Sequence, residues 1–433
     1  MELKNLRKIW LGLGMGCMAL SLQAAPQVDI LEATGNYLAY PIPERGTPEL
    51  SAAPQGYVPF HLEHYGRHGS RWRINPKEYS NALEIFSKAH DNGKLTPRGE
   101  QLYEEIKIIV EDSEGRLGEL TPLGARQHRG IASRMVTNFP EIFTDSTHLD
   151  AKSTHVIRCI LSMANEMTEF QKLLPEMTIT MDASQTTQNI LNYNDLDTVA
   201  RRLSDAAMPL VQAYRETLPK PDAFFDKVFT DRQFVRDSLG EAETFKAAYD
   251  LAINTQSHDN YAPFLDVFTA EELDNEWKAR NARWYIMFGN TPLTANRTFY
   301  NQRVLLKNII KSADTAMMSP KLSANLRFGH DTMLMPLGVL LEIDNLGYET
   351  SDLSTLADNW RDYEIFPMAG NIQIVFYRPE GKEYKLEDIL VKVMLNEKER
   401  SLPVEAVEGN YYRWTDLKDY YLNKIANMPE VEL

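Results

Sequence analysis

Hydrophobic and polar positions change their period several times along this chain, and each change marks an element. Val58, Phe60 and Leu62 alternate with more polar neighbours, so residues 57–65 are predicted to form a strand that delivers Arg67 and His68 at its carboxyl end. Thr96-Pro97-Arg98-Gly99 and Thr121-Pro122-Leu123-Gly124 each read as a turn opening a helix, with Pro close to the first helical position. Residues 149–154 form a short strand candidate. Val156, Ile160, Met163, Met167, Phe170 and Leu174 then recur at three- and four-residue steps, which predicts a helix with Arg158 in its first turn.

From about 180 to 290 the chain carries helix-like segments rich in Asp, Glu, Ala and aromatic residues, with few strand-like runs. Strand character returns at 322–328, followed by Gly329-His330-Asp331 and an apolar helix over 332–341. Ile372, Ile374 and Phe376 mark another strand, and residues 390–395 a further one. This order predicts an α/β core, over 25–179 and 291–433, split by an inserted, mainly α-helical cap at 180–290.

Composition adds limits to that picture. A chain of 433 residues that is 43% hydrophobic and 25% charged can bury a large core, which excludes disorder. The formal charge of −15 argues against a general nucleic-acid or anionic-membrane binder, because those need basic surface. A positive field for an anionic ligand must therefore be local.

Lys4, Arg7 and Lys8 precede the apolar run 9–22, and Ala24 follows, the order of a secretory leader. Residues 1–24 are expected to be a cleaved signal peptide, which places the protein in the periplasm or outside the cell. The apolar run is short for a membrane span. Its removal would take away three bases and one acid and bring the formal charge to −17. Cys17 has a poor lipobox around it, so lipoprotein anchoring is not expected. Cys159 alone would remain after processing, which leaves no internal disulfide, and it reads as a small buried packing residue.

The chemistry concentrates at Gly66-Arg67-His68-Gly69-Ser70-Arg71, where one histidine stands between two guanidinium groups beside a glycine that could let backbone approach a ligand. Each arginine offers a planar fork matched to phosphoryl oxygens, and a neutral imidazole between them can attack phosphorus. A core role for His68 would leave two buried cations unpaired. Arg158 alone would be an ordinary helix-start arginine, and Asp331 alone a helix cap. Gln127, His128 and Asn371 read as structural.

Taken together, Arg67-His68-Gly69-Ser70-Arg71, Arg158 and the later His330-Asp331 resemble the histidine acid phosphatases, the branch of the histidine phosphatase superfamily with phytases and multiple inositol polyphosphate phosphatases. The resemblance covers essentially the whole mature chain. It implies a three-layer, phosphoglycerate-mutase-like α/β core with a helical cap. It also implies His68 as nucleophile, Arg67, Arg71, Arg158 and His330 around the phosphoryl oxygens, Asp331 as proton donor, and no metal or other cofactor. The partner would be a small phosphate monoester, with phytate-like inositol polyphosphates first and sugar phosphates or nucleotides second.

Two positions depart from the family pattern. Arg73 stands where the family has proline, a possible extra cation at the substrate rim. His330-Asp331 replaces the His-Ala-Glu common in the inositol polyphosphate phosphatases. Two rival classes remain open on the sequence. His61, Glu63, His64 and His68 are crowded enough for a metal site, although His61 and His64 would face opposite sides of a strand. A non-catalytic phosphate-ester binder would need the arginines but neither His68 nor Asp331.

Overall fold

The protein is seen here as a computed structural model, which describes residues 29–429 apart from 43, 44, 47, 192–196, 261, 262, 320 and 322. The expected leader, with Cys17, lies outside the described residues. Among the described residues, nine strands form one sheet: β1 (Tyr57–Arg67), β2 (His148–Ser153), β3 (Thr178–Asp182), β4 (Ser323–Gly329), β5 (Asn371–Pro379), β6 (Leu390–Leu395), β7 (Lys398–Arg400), β8 (Ala406–Glu408) and β9 (Tyr411–Arg413). Their spatial order is β3-β2-β4-β1-β5-β6-β9-β8, with β7 beside β6. The pairs β1–β4, β2–β4 and β2–β3 are parallel, whereas β5 runs antiparallel to β1. Four parallel strands, β3, β2, β4 and β1, therefore end on one edge of the sheet, the edge where open α/β sheets bind ligands.

The alternation that predicts β1 breaks at Phe60. A register shift between Pro59 and His61 turns Phe60 to the face of Tyr65, opposite Leu62. Helices cover both faces, which makes three layers. Helices Pro122–Asn138 and Ile157–Leu173 pack Ile131, Met135, Met163 and Phe170 against Leu62, Leu326 and Val375. On the opposite face, helices Arg303–Met317, Asp331–Leu340 and Trp414–Ala426 pack against Phe60, Tyr65 and Phe376. β3 and the short β7 to β9 were not legible as strands, because runs of three to five residues carry too little period to read.

The turn-helix signals have a visible cause. Thr96 and Thr121 accept, through their hydroxyl oxygens, the backbone N–H of Gly99 and Gly124, each at 3.1 Å. Each cap is worth about 1 kcal/mol.

A third apolar cluster lies in the helical region, around Phe224, whose ring stacks on Phe268 with centroids 5.1 Å apart. It draws on helices Asp222–Val228 and Glu241–Ala252, and also on Tyr79, Phe86, Leu102 and Ile106 from much earlier in the chain. Truncation of Phe224 to alanine would cost about 3–5 kcal/mol. No helix among the described residues is long and apolar enough to cross a membrane.

Candidate active site

β1 sets down Arg67 as its last residue, and the backbone beyond it is held on both sides. The His68 N–H donates to the Gly329 carbonyl at the end of β4 (2.9 Å), and the His68 carbonyl accepts from Ala369 N–H (3.0 Å). The next residues are fixed by the helices of one layer. Gly69 N–H donates to Ser162 Oγ (3.1 Å) and Ser70 N–H to Gln127 Oε1 (2.8 Å). Gly69 is glycine for this packing: a Cβ there would stand 2.5 Å from the Gly124 carbonyl oxygen, and one on Gly124 would stand 2.3 Å from that of Ser70. The approach of a helix thus accounts for the glycine at position 69.

His68 is buried, and its Nδ1 lies 2.9 Å from the Gly69 carbonyl oxygen. The rings of His68 and His330 meet edge to face at 5.6 Å. Arg158 Nη2 lies 3.3 Å from His330 Nδ1, and Thr154 Oγ1 lies 3.2 Å from His330 Nε2. Arg67 Nη2 lies 2.7 Å from Asp331 Oδ2, while its Nη1 donates to the carbonyls of Asn36 (2.5 Å) and Phe366 (2.7 Å). Arg71 donates to the Trp72 carbonyl (3.0 Å) and the Tyr37 hydroxyl (3.3 Å). The structure thus brings Arg67, His68, Arg71, Arg158, His330 and Asp331 into one cluster.

Burial, then the guanidiniums of Arg158, Arg67 and Arg71, hold the His68 imidazole neutral well below its ordinary value. The same forces, burial before Arg158, take His330 down to about 3. Burial would raise the Asp331 carboxyl, but Arg67 and Arg71 outweigh it and hold the group below the usual carboxylate range. Three guanidiniums thus face one carboxylate, and the Nε atoms of Arg67 and Arg71 are buried without a hydrogen-bond partner among the described residues. Such an excess of desolvated positive charge is stabilised by an anion.

The sequence model of the histidine phosphatase superfamily (branch 2) matches residues 66–396. The chain belongs to that superfamily. Multiple inositol polyphosphate phosphatase 1 of Gallus gallus is 24% identical to this histidine phosphatase over 407 residues, spanning 87% of this chain and 84% of that protein. Among solved structures, the multiple inositol polyphosphate phosphatase of Bifidobacterium longum in complex with phosphate superposes with a TM-score of 0.72 at 17% identity, over 92% of this chain and 98% of that one. The phytase of D. castellii gives 0.68 at 16% identity, over 95% and 90%. These likenesses establish a common fold, and membership makes the protein a histidine-type phosphoric monoester hydrolase.

Above the cluster of this phosphatase lies a cavity of about 930 Å³, floored by Asn36, Tyr37, Arg71 and Asp331 and roofed by the helical region. Arg73 is in its wall, but its guanidinium is engaged: it donates to the Asp250 carbonyl (2.6 Å), pairs with Glu78, and lies over the Tyr37 ring at 4.8 Å. Arg280 of the roof pairs with Asp250 at 2.6 Å, and Arg232 with Glu241 at 2.7 Å. Arg283 and Lys220, also in the wall, make no ion pair with any described residue.

Sequence reasoning missed Asn36 and Tyr37, which sit in a short 3₁₀ segment, Glu32–Tyr37, with no hydrophobic period to announce it. Of the crowded histidines, His61 bonds Glu63 (3.0 Å) and packs on Phe376, whereas His64 lies on the other face against Phe328. Among the described residues, no group of three His, Cys, Asp or Glu side chains is arranged to hold a metal ion.

Proposed function

We propose that the protein is an exported phosphomonoesterase that works through a phosphohistidine at His68. The observation that carries this reading is the Nδ1 contact of His68. A carbonyl oxygen can only accept, so Nδ1 bears the proton donated to Gly69 and Nε2 keeps the lone pair, in the middle of three guanidiniums.

In the first step Nε2 attacks phosphorus, the P–N bond forms and the ester P–O bond breaks. Arg67, Arg71, Arg158 and His330 stabilise the charge spread over the phosphoryl oxygens. Asp331 gives its proton to the leaving alkoxide. The bare site holds Asp331 ionised, so the proton must arrive with the substrate: a phosphate ester whose second ionisation lies near pH 6 enters at mildly acidic pH carrying one. In the second step Asp331, again a carboxylate, takes a proton from water as that water attacks phosphorus; the new P–O bond forms as the P–N bond breaks, His68 Nε2 recovers its lone pair, and phosphate leaves. The arginines supply the charge neutralisation, and no cofactor enters either step.

For substrate, the cavity falls within the range of small-molecule sites and carries the unpaired Arg283 and Lys220 in its wall, which favours an inositol polyphosphate such as phytate. A second reading has its own support. Arg73, Arg280 and Arg232 are already neutralised by carboxylates, which suits a singly phosphorylated sugar or nucleotide. Comparing kcat/KM on phytate, glucose 1-phosphate and a nucleoside monophosphate decides between them; equal values remove the phytate preference.

The chemistry is tested by rapid denaturation during turnover of labelled substrate. The expected label survives base, is lost in acid, maps to the peptide with His68 and is absent from His68→Ala. A label on another peptide, or turnover with no label at any quench time, would overturn the covalent route. Export is tested by the N-terminal sequence of the protein recovered from its native host, expected to begin close to residue 25.

A further inference from the structure

The segment Glu32–Tyr37 lies well before residue 66, where the match to the superfamily begins, yet it reaches the centre of the site. Asn36 is 4% exposed and touches both members of the Arg67–Asp331 pair. Its backbone carbonyl accepts from Arg67 Nη1 at 2.5 Å, and its carboxamide Nδ2 donates to Asp331 Oδ2 at 3.3 Å. That oxygen is also the one beside Arg67 Nη2, at 2.7 Å. A carboxamide hydrogen bond and a guanidinium ion pair meet at Oδ2, while Oδ1 accepts the N–H of Thr332 at 2.9 Å.

The segment is anchored from behind. Asp362 accepts the Asn36 N–H at 3.1 Å on one oxygen and the Trp277 indole N–H at 2.8 Å on the other, and its own N–H donates to Asn281 Oδ1 at 2.9 Å. Gly35 sits in the left-handed region at φ +61°, and a Cβ there would come within 2.8 Å of Asp362. The backbone of the segment is thus pressed on a buried carboxylate that faces away from the cavity.

We propose that Asn36 is a positioning residue for Asp331: its carboxamide, set in place through Asp362, holds the carboxyl in the orientation from which it reaches the leaving oxygen. An aspartate in the first turn of a helix has a competing use, bonding the free backbone N–H groups of that turn, and the contact with Thr332 is that competitor. Arg67 alone fixes one oxygen at one point and is itself drawn to the incoming phosphoryl group. When Arg67 turns to substrate, Asn36 remains, uncharged and with no interest in the phosphate. A neutral donor keeps the carboxyl aimed without sharing its charge.

The inference rests on Asp331 being the proton donor, and the test separates the two claims. Turnover is measured on p-nitrophenyl phosphate, whose leaving group needs no proton, and on glycerol 2-phosphate, whose leaving group does. Asn36→Ala is expected to lower kcat on glycerol 2-phosphate by about 10- to 100-fold and on p-nitrophenyl phosphate by less than about threefold. In an Asp331→Asn background it is expected to add no further selective loss. Asp362→Asn is expected to give the same selectivity at smaller size.

Equal loss on both substrates from Asn36→Ala, with selective loss from Asp331→Asn, overturns the positioning role and leaves the acid intact. Equal loss from Asp331→Asn itself means that the acid assignment has failed first. Asn36→Ser, which keeps a short polar side chain, serves the same comparison where the alanine variant does not fold.

Discussion

His68 places its Nδ1 2.9 Å from the carbonyl oxygen of Gly69, the next residue in the chain. The tautomer of the proposed nucleophile is therefore set by the backbone that follows it. His68→Ala is expected to lower kcat on p-nitrophenyl phosphate by at least about a thousandfold, because it removes the atom that bonds phosphorus. The variant should still bind orthovanadate or phosphate through the arginines, measured by titration calorimetry. A loss below tenfold would take the nucleophile away from His68.

Arg73 is held by Glu78 and by both the backbone and side chain of Asp250, inside the wall of the cavity. Arg73→Met leaves two carboxylates facing each other with one partner fewer. The expected loss of stability is about 3–5 kcal/mol in urea unfolding. KM for phytate should change less than threefold. A large rise in KM at unchanged stability would instead make Arg73 a contact to substrate.

Gly69 and Gly124 meet backbone to backbone. A methyl group on Gly124 has nowhere to go, since the atom in its way is the Ser70 carbonyl oxygen. Gly124→Ala is expected to cost about 1–3 kcal/mol and to lower kcat with it, because the turn carrying His68 must move. A similar substitution at Gly93, whose Cβ position is open, provides the comparison for backbone strain alone. Unchanged kcat in Gly124→Ala would mean that the turn can shift freely.

Stability should fall as the solution is acidified from about pH 6.5. Burial takes His64 to about 3 and His258 to about 4, and His330 and His68 are depressed as well. A histidine neutral in the folded chain takes up its proton only on unfolding, so each one favours the unfolded chain below its ordinary value. Glu63, held down to about 2 against burial by Arg327, acts in the same direction at lower pH. Asp362 opposes them: burial raises it to about 6, so it gains its proton first in the folded state. The net uptake on unfolding is positive, worth about 1.4 kcal/mol per proton and pH unit. Urea midpoints at pH 7, 6, 5 and 4 should fall in that order, and a flat series would mean that these histidines are charged in the native protein.

The strands that carry chemistry were readable because function and period coincide there. β1 and β4 each carry a readable apolar pattern that stops at the residues of the proposed site, Arg67-His68 and His330-Asp331. Arg158 could be placed for the same reason, in the first turn of a helix with a clear apolar stripe. Asn36 and Tyr37 were not readable, since a 3₁₀ turn has no amphipathic signature and its contacts span up to 326 residues of sequence. The pairing of Arg73 was not readable for a related reason. Its partner Glu78 stands five residues on, but Asp250 is brought to it by folding of the helical region, and a list of neighbours along the chain cannot reveal a salt bridge to position 250. Gly69 looked like a ligand glycine because the helix that needs it is more than fifty residues away.

Cys159 packs its sulfur 3.6 Å from His330 Nε2 and 3.2 Å from the Gly329 carbonyl oxygen. Burial pushes this thiol up to about 12, which favours its protonated form. Peroxide and disulfides react with the thiolate. A buried, protonated thiol is a poor target for them, so the sulfur beside His330 adds no reactive thiolate to the site, and the proposed attack by His68 escapes the oxidative switching to which a cysteine nucleophile is exposed.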